Sequence, residues 1–189
     1  MRILAGTFKG RKLLPPPKGS ITRPVTAQAK KSIFSILEPV LADAKVLDLY
    51  CGTGTMGLEA ISRGACQCCF VEKDRAVAQR LRRNIETVGA GDICKIKIRT
   101  VERQLKAPFA GLDSLADIAF VDPPYAIARK WDFDRAIRTL FTPLAQHLAP
   151  GGVVILRLPD KVELPDTLGP LSSSREKNFG DMKIVMLKL

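Results

Sequence analysis

Histidine is almost missing from this 189-residue chain, His147 being the only one. It lies far in sequence from the cysteines, which removes the mixed Cys/His zinc pattern. Cysteines are few and odd in number: Cys51, Cys66, Cys68, Cys69 and Cys94. Odd count and apolar surroundings argue against a disulfide framework. The C-x-C-C run at 66–69 has no second pair at ligand spacing, so free thiols entering a buried strand are expected, and no metal. No apolar run approaches the roughly 18 residues of a membrane span. The opening MRILAGTFKGRKLLPPP is basic but has neither a continuous apolar region nor a small-residue cleavage site, so no secretory leader is expected. Repeats, low-complexity tracts and long linkers are lacking too. These absences predict a single soluble, cytoplasmic, monomeric domain with no membrane partner; 46% hydrophobic residues suffice for one sizeable core.

Acidic residues are missing from the first 37 positions. Eight cations stand there (Arg2, Lys9, Arg11, Lys12, Lys18, Arg23, Lys30 and Lys31) out of a net charge of +11. A field this uneven attracts a polyanion, most simply nucleic acid. The alternative is a solubilising basic surface.

The rest of the chain alternates strand and helix patterns. Residues 1–25 hold short extended pieces, Arg2–Leu4 and Arg11–Leu14, and predict a hairpin extension; 26–189 form the main domain. Thr26 caps a helix reaching Leu37, where Pro39 stops it. Strands are predicted over Lys45–Tyr50, Cys68–Glu72, Lys95–Arg99, Ile118–Val121 and Val153–Leu158. Helices are predicted over Thr55–Arg63, Arg75–Val88 and Phe133–His147, the last ended by Pro150 and Gly151. Apolar strands alternating with helices mean a mostly parallel sheet covered on both faces. The segments Ser172–Asn178 and Met182–Leu187, flanking Phe179-Gly180-Asp181, predict a terminal antiparallel hairpin.

Three motifs carry chemistry. In VLDLYCGTGTMG, residues 46–57, a strand runs through a glycine turn into a helix. Gly52, Thr53 and Gly54 let a ligand approach the backbone. Such a loop suits NAD, FAD or S-adenosylmethionine. Asp48, four residues before Gly52, would repel a pyrophosphate but suits an ammonium, held directly or through water; its other role is to cap the loop. Glu72 ends the next strand, twenty residues after Gly52, where a carboxylate accepts both ribose hydroxyls of a nucleoside. Neighbouring Asp74 caps the following helix. Finally, Asp122-Pro123-Pro124-Tyr125 ends the fourth predicted strand. Two prolines fix two φ angles and remove two amide donors. The turn presents the Asp122 carboxylate and the Pro123 carbonyl to the two N–H groups of an exocyclic amine, and the Tyr125 ring to a base. In isolation an Asp-Pro-Pro turn is as readily structural.

Together, VLDLYCGTGTMGLEAISRGA, Glu72 and DPPY resemble the class I S-adenosylmethionine-dependent methyltransferases that modify exocyclic amines. With RILAGTFKGRKL, TRPVT and Phe179-Gly180-Asp181, nearly the whole chain resembles the bacterial small-subunit rRNA guanine-N2 methyltransferase family. The resemblance implies a Rossmann-like, seven-stranded α/β sheet with an N-terminal hairpin. It implies S-adenosylmethionine as cofactor and small-subunit rRNA, free or in an assembling subunit, as partner. A base flips into the pocket at Asp122–Tyr125, and Arg2, Lys9, Arg11, Lys12 and Arg23 hold RNA phosphates. Thr100 matches the position where Asp or Asn often reads the adenine amine, and Val101 offers its backbone N–H there. The chain departs from the family at Val25–Lys31, where an acid and arginines usually follow R-P-T; Cys51 replaces a small alanine and Phe179 a tyrosine.

Three rival functions stay open from sequence: a DNA adenine-N6 methyltransferase, a protein-glutamine methyltransferase, and a non-catalytic RNA-binding protein on the same fold. The first usually needs a separate target-recognition region, the second typically shows Asn at position 122, and the third does not explain the intact Asp48, Glu72, Asp122 and Tyr125.

Overall fold

The computed structural model describes residues 1–17, 19 and 25–189. Five strands, β1 (Lys45–Leu49), β2 (Gln67–Glu72), β3 (Cys94–Ile98), β4 (Ala116–Val121) and β5 (Leu148–Pro159), form the parallel part of the sheet. The terminal hairpin adds β8 (Met182–Lys188) antiparallel to β5, and β7 (Leu171–Phe179) antiparallel to β8. With β6 (Thr167–Leu168) at the edge, spatial order is β3-β2-β1-β4-β5-β8-β7-β6. Among the described residues eight strands therefore replace the expected seven. The extra one, β6, is a two-residue edge piece turning back onto Leu171 through Gly169 at φ 67°.

Alternate residues of each strand face opposite sides, and both sides are covered. Val46, Phe70, Phe120 and Ile155 pack under α1 (Ala27–Leu37), α2 (Thr55–Ser62) and α3 (Arg75–Val88). Leu47, Leu49, Val121 and Leu156 pack with Val101 of α4 (Val101–Gln104), Ala128 of α5 (Tyr125–Ala128), Ala136 of α6 (Phe133–Ala136) and Leu144 of α7 (Thr142–Ala145). Thr26 and Asp74 cap their helices as expected: Thr26 Oγ1 accepts from Ala29 N, and Asp74 Oδ1 from Ala76 N and Val77 N. The expected helix over 133–147 is interrupted. A π-helical turn at Ile137–Phe141 joins α6 to α7, and Pro143 supplies no amide there. Helical structure stops at Ala145, before Pro150 and Gly151, because Leu148 already pairs with Ala116 in the sheet.

The N-terminal segment is a hairpin with Arg2 opposite Lys12. It lies against the carboxyl end of α2. Gly6 sits so close that a Cβ there would come within 1.7 Å of Ser62 O. Glu59, on α2 and with no solvent exposure, accepts from Leu4 N (2.8 Å) and Ala5 N (3.0 Å). The same carboxylate meets Lys30 Nζ at 2.7 Å and Arg63 Nε at 2.8 Å. All five cysteines are free thiols; Cys51, Cys68 and Cys69 are buried, Cys94 is half-buried and Cys66 is exposed. No described helix is long and apolar enough to cross a membrane.

Candidate active site

The carboxyl ends of β1, β2 and β4 lie side by side, which is where open α/β sheets put their ligands. The chain leaves β1 through Tyr50, itself at φ 58°, then Gly52 (φ 55°) and Gly54 (φ 81°), and enters α2. Left-handed backbone costs glycine least, and glycine fills 52 and 54. A Cβ on Gly52 would meet nothing within 4 Å, so its backbone faces open space.

Asp48 lies beneath this loop at 1% exposure. Its Oδ2 accepts from Gly57 N at 2.9 Å, so it does cap the loop, but no donor among the described residues engages Oδ1. Burial pushes its pKa up to about 7, and the nearby Asp122 and Glu72 charges add to the shift. Glu72 braces the loop too: Oε2 accepts from Gly52 N (3.1 Å) and Oε1 from Asp74 N (2.8 Å). Each oxygen keeps a further lone pair for a hydroxyl. Three carboxylates (Asp48, Glu72, Asp122) thus converge on one edge and favour a cationic ligand with ribose hydroxyls. That donor set and the open Gly52 backbone fit the methionine and nucleoside parts of S-adenosylmethionine.

Beyond β4, Asp122 N donates to Leu49 O at 3.3 Å, tying the turn to the end of β1. Pro124 caps α5, and Tyr125 opens it half-buried. The Asp122 side chain is 21% exposed and its Oδ1 accepts from Arg157 Nε at 2.5 Å. Burial pushes the Asp122 carboxyl up, and the guanidinium pulls it partly back. Arg157 Cζ also lies 5.5 Å from the centre of the Tyr125 ring, and Arg129 Cζ 5.9 Å. Both members of the motif are therefore held by a cation the sequence reading missed. The signal was present: Arg157 interrupts the apolar run Val153–Leu158 and is only 8% exposed.

Other expected residues fall elsewhere. The Thr100 hydroxyl accepts from Arg103 N at 3.4 Å and caps α4, which uses it locally; Val101 is buried at 2%. The exposed Arg2, Lys9, Arg11 and Lys12 lie on the hairpin over the carboxyl ends of α2 and α3, away from the loop edge. Arg11 Nη1 reaches Thr87 O, one residue before the end of α3. Arg23 lies outside the described residues, with the neighbouring Thr22 and Pro24. Sequence reading also missed Asn84, fully buried on α3. Its Oδ1 accepts from Leu14 N, and its Nδ2 donates to Leu14 O and Thr53 O, joining the N-terminal segment to the glycine loop.

Comparison with known proteins agrees over the whole chain. Residues 1–188 match the family described as Conserved hypothetical protein 95. The chain is 31% identical over 190 residues to "Putative rRNA methyltransferase YlbH" of Bacillus subtilis, covering 100% of this chain and 98% of that protein. It is 39% identical over 125 residues to ribosomal RNA small subunit methyltransferase D of Escherichia coli, a match covering 66% of this chain and 60% of that protein. A solved structure described as "Putative methyltransferase yhhF" of Escherichia coli superposes with a TM-score of 0.81 at 32% identity, covering 99% of this chain and 96% of that one.

Proposed function

Since the chain belongs to the Conserved hypothetical protein 95 family, we propose that it transfers a methyl group from S-adenosylmethionine to the N2 amine of a guanine in small-subunit rRNA. The observation that carries this reading is the meeting, on one sheet edge, of a carboxylate-lined glycine loop with the Asp122 turn. The relatives named as rRNA methyltransferases support the RNA substrate. A cytoplasmic monomer working without a metal agrees with this reading. So does a division into a hairpin extension over 1–25 and a catalytic domain over 26–189.

In this reading Asp48 Oδ1 takes the ammonium of the cofactor, Glu72 the ribose hydroxyls, and the Gly52-Thr53-Gly54 backbone lies against the methionine part. Val101 N–H and Thr100 border the adenine. S-adenosylmethionine, when bound, supplies a methyl group already activated by sulfonium charge. The protein's task is then positioning. Asp122 and the Pro123 carbonyl accept the two N–H bonds of the guanine amine, which draws its lone pair out of conjugation and aims it. Tyr125 stacks on the base. The Asp122 carboxyl, raised by burial, is suited to take the amine proton as the N–C bond forms.

Calorimetry tests the cofactor half. Glu72→Ala should weaken S-adenosylmethionine binding by about 1.5–3 kcal/mol, the range for a charge-assisted hydrogen bond. Glu72→Gln, which keeps an acceptor for Gly52 N, should lose less. Binding a cation beside Asp48 must release a proton from a carboxyl whose pKa is about 7. Affinity should therefore rise with pH from about 5, by up to tenfold per unit, and level off above neutrality. Asp48→Asn should flatten that slope. Binding of NAD with none of S-adenosylmethionine would overturn the assignment.

A further inference from the structure

We infer a second RNA-contact surface: the groove between α1 and β7, rimmed by Lys31, Arg175 and Lys177, binds the phosphate backbone of rRNA next to the nucleotide being modified. The inference rests on the proposed rRNA substrate and adds a place on the molecule for it. The groove encloses about 460 Å³ between Lys31, Ser32, Ser35 and Ile36 on α1 and Arg175 and Lys177 on β7. A smaller apolar hollow adjoins it, sharing Ser32, Ile36, Arg175 and Lys177 and lined further by Met186 and Phe179.

Its charge is available. Among the described residues neither Lys31 nor Arg175 has a carboxylate partner. The one acid on the rim, Glu176, is paired with Lys183 at 3.0 Å. Lys177 Nζ is steered into the groove by Ser32 Oγ (3.3 Å) and lies 5.2 Å from the centre of the Phe179 ring. Cations on a rim, hydroxyls between them and an aromatic ring in the adjoining hollow suit single-stranded nucleic acid.

Its position is what the hairpin lacks. β7 runs antiparallel to β8, and β8 antiparallel to β5, so β7 ends on the same edge as β4 and β5. Phe179 pairs with Met182, Met182 with Pro159, and Asp160 N donates to Asp181 O at 3.1 Å. The upper end of the groove therefore opens on the edge that carries Asp122. The hairpin cations, over the far ends of α2 and α3, reach RNA only at a distance from the reacting base.

The test compares three proteins: wild type, Lys31→Gln/Arg175→Gln/Lys177→Gln, and Arg2→Gln/Lys9→Gln/Arg11→Gln/Lys12→Gln. Affinity for deproteinised small-subunit rRNA and for salt-washed small subunits is measured against salt, with S-adenosylmethionine affinity as the folding control. The groove variant should bind rRNA at least tenfold more weakly, with a log–log salt slope reduced by about 2, at roughly 0.7 per lost single-strand contact. Its cofactor affinity should be unchanged. Wild-type rRNA affinity and slope in that variant would overturn the groove while leaving the methyltransferase reading standing. Weakened binding to subunits but unchanged binding to bare rRNA would assign the groove to a ribosomal protein and overturn the RNA assignment. No rRNA affinity in the wild type would remove the substrate reading itself, and the groove with it.

Discussion

Asp122→Ala is expected to abolish methyl transfer while S-adenosylmethionine affinity stays within a few fold. The carboxylate is needed at the amine and lies past the end of β4, beyond the groups assigned to ribose and ammonium. Its removal also leaves Arg157, 8% exposed, without the Asp122 carboxylate it holds. Thermal stability should be followed alongside activity, because losing one carboxylate of a buried ion pair destabilises. Asp122→Asn keeps the side-chain volume and an acceptor oxygen but loses the charge, and should also lose most activity. Tyr125→Ala should be severe, since base–aromatic stacking contributes about 1–3 kcal/mol. Tyr125→Phe should retain substantial activity, because the ring face holds the base. Single-turnover assays separate these outcomes. A Tyr125→Phe enzyme as inactive as Tyr125→Ala would give the hydroxyl a chemical role; an active Asp122→Ala enzyme would make the turn structural.

The largest loss of stability is expected at Glu59. Its carboxylate is fully buried and joins two backbone amides of the N-terminal segment to Lys30 and Arg63. Burial alone would raise its pKa, but the Lys30 and Arg63 charges and the amides hold it below the usual range. Burial lowers the pKa of Lys30 as well. Removing one partner of a buried pair costs about 3–5 kcal/mol, because the other charge stays buried and unpaired. For a domain of this size Glu59→Ala should lower Tm by roughly 10 °C. Lys30→Met added to Glu59→Ala should restore part of the loss, since the stranded ammonium is then gone. A Tm shift near zero in Glu59→Ala would mean that the hairpin is held by Ser62 and Asn84 alone.

The alternation of strands and helices was legible because burial on both faces writes itself as short apolar runs, and because Thr26, Asp74 and Pro39 mark helix ends by local chemistry. Asp48, Glu72 and Asp122 were legible because each stands within or directly after the last residues of an apolar strand, where a carboxylate stands out. The roles of Arg157, Glu59 and Asn84 were not, because each depends on at least one partner far away in sequence: Asp122 for Arg157, Leu4 for Glu59 and Leu14 for Asn84. The π-helical turn and the two-residue β6 depend on packing against neighbours, and local propensity carries little of that. The hairpin was readable as a hairpin from Arg2–Leu4 and Arg11–Leu14. Its docking on the far end of α2, set by Gly6 and Ser62, was not.

The most direct measurement is transfer of tritiated methyl from S-adenosylmethionine to rRNA, ribosomal small subunits, DNA and protein in parallel, followed by nucleoside analysis. Label is expected in small-subunit rRNA, alone or within the subunit, recovered as N2-methylguanosine and lost in Asp122→Ala. Label recovered as N6-methyladenosine, in DNA or in protein glutamine, or no label in any acceptor, would contradict the proposed function.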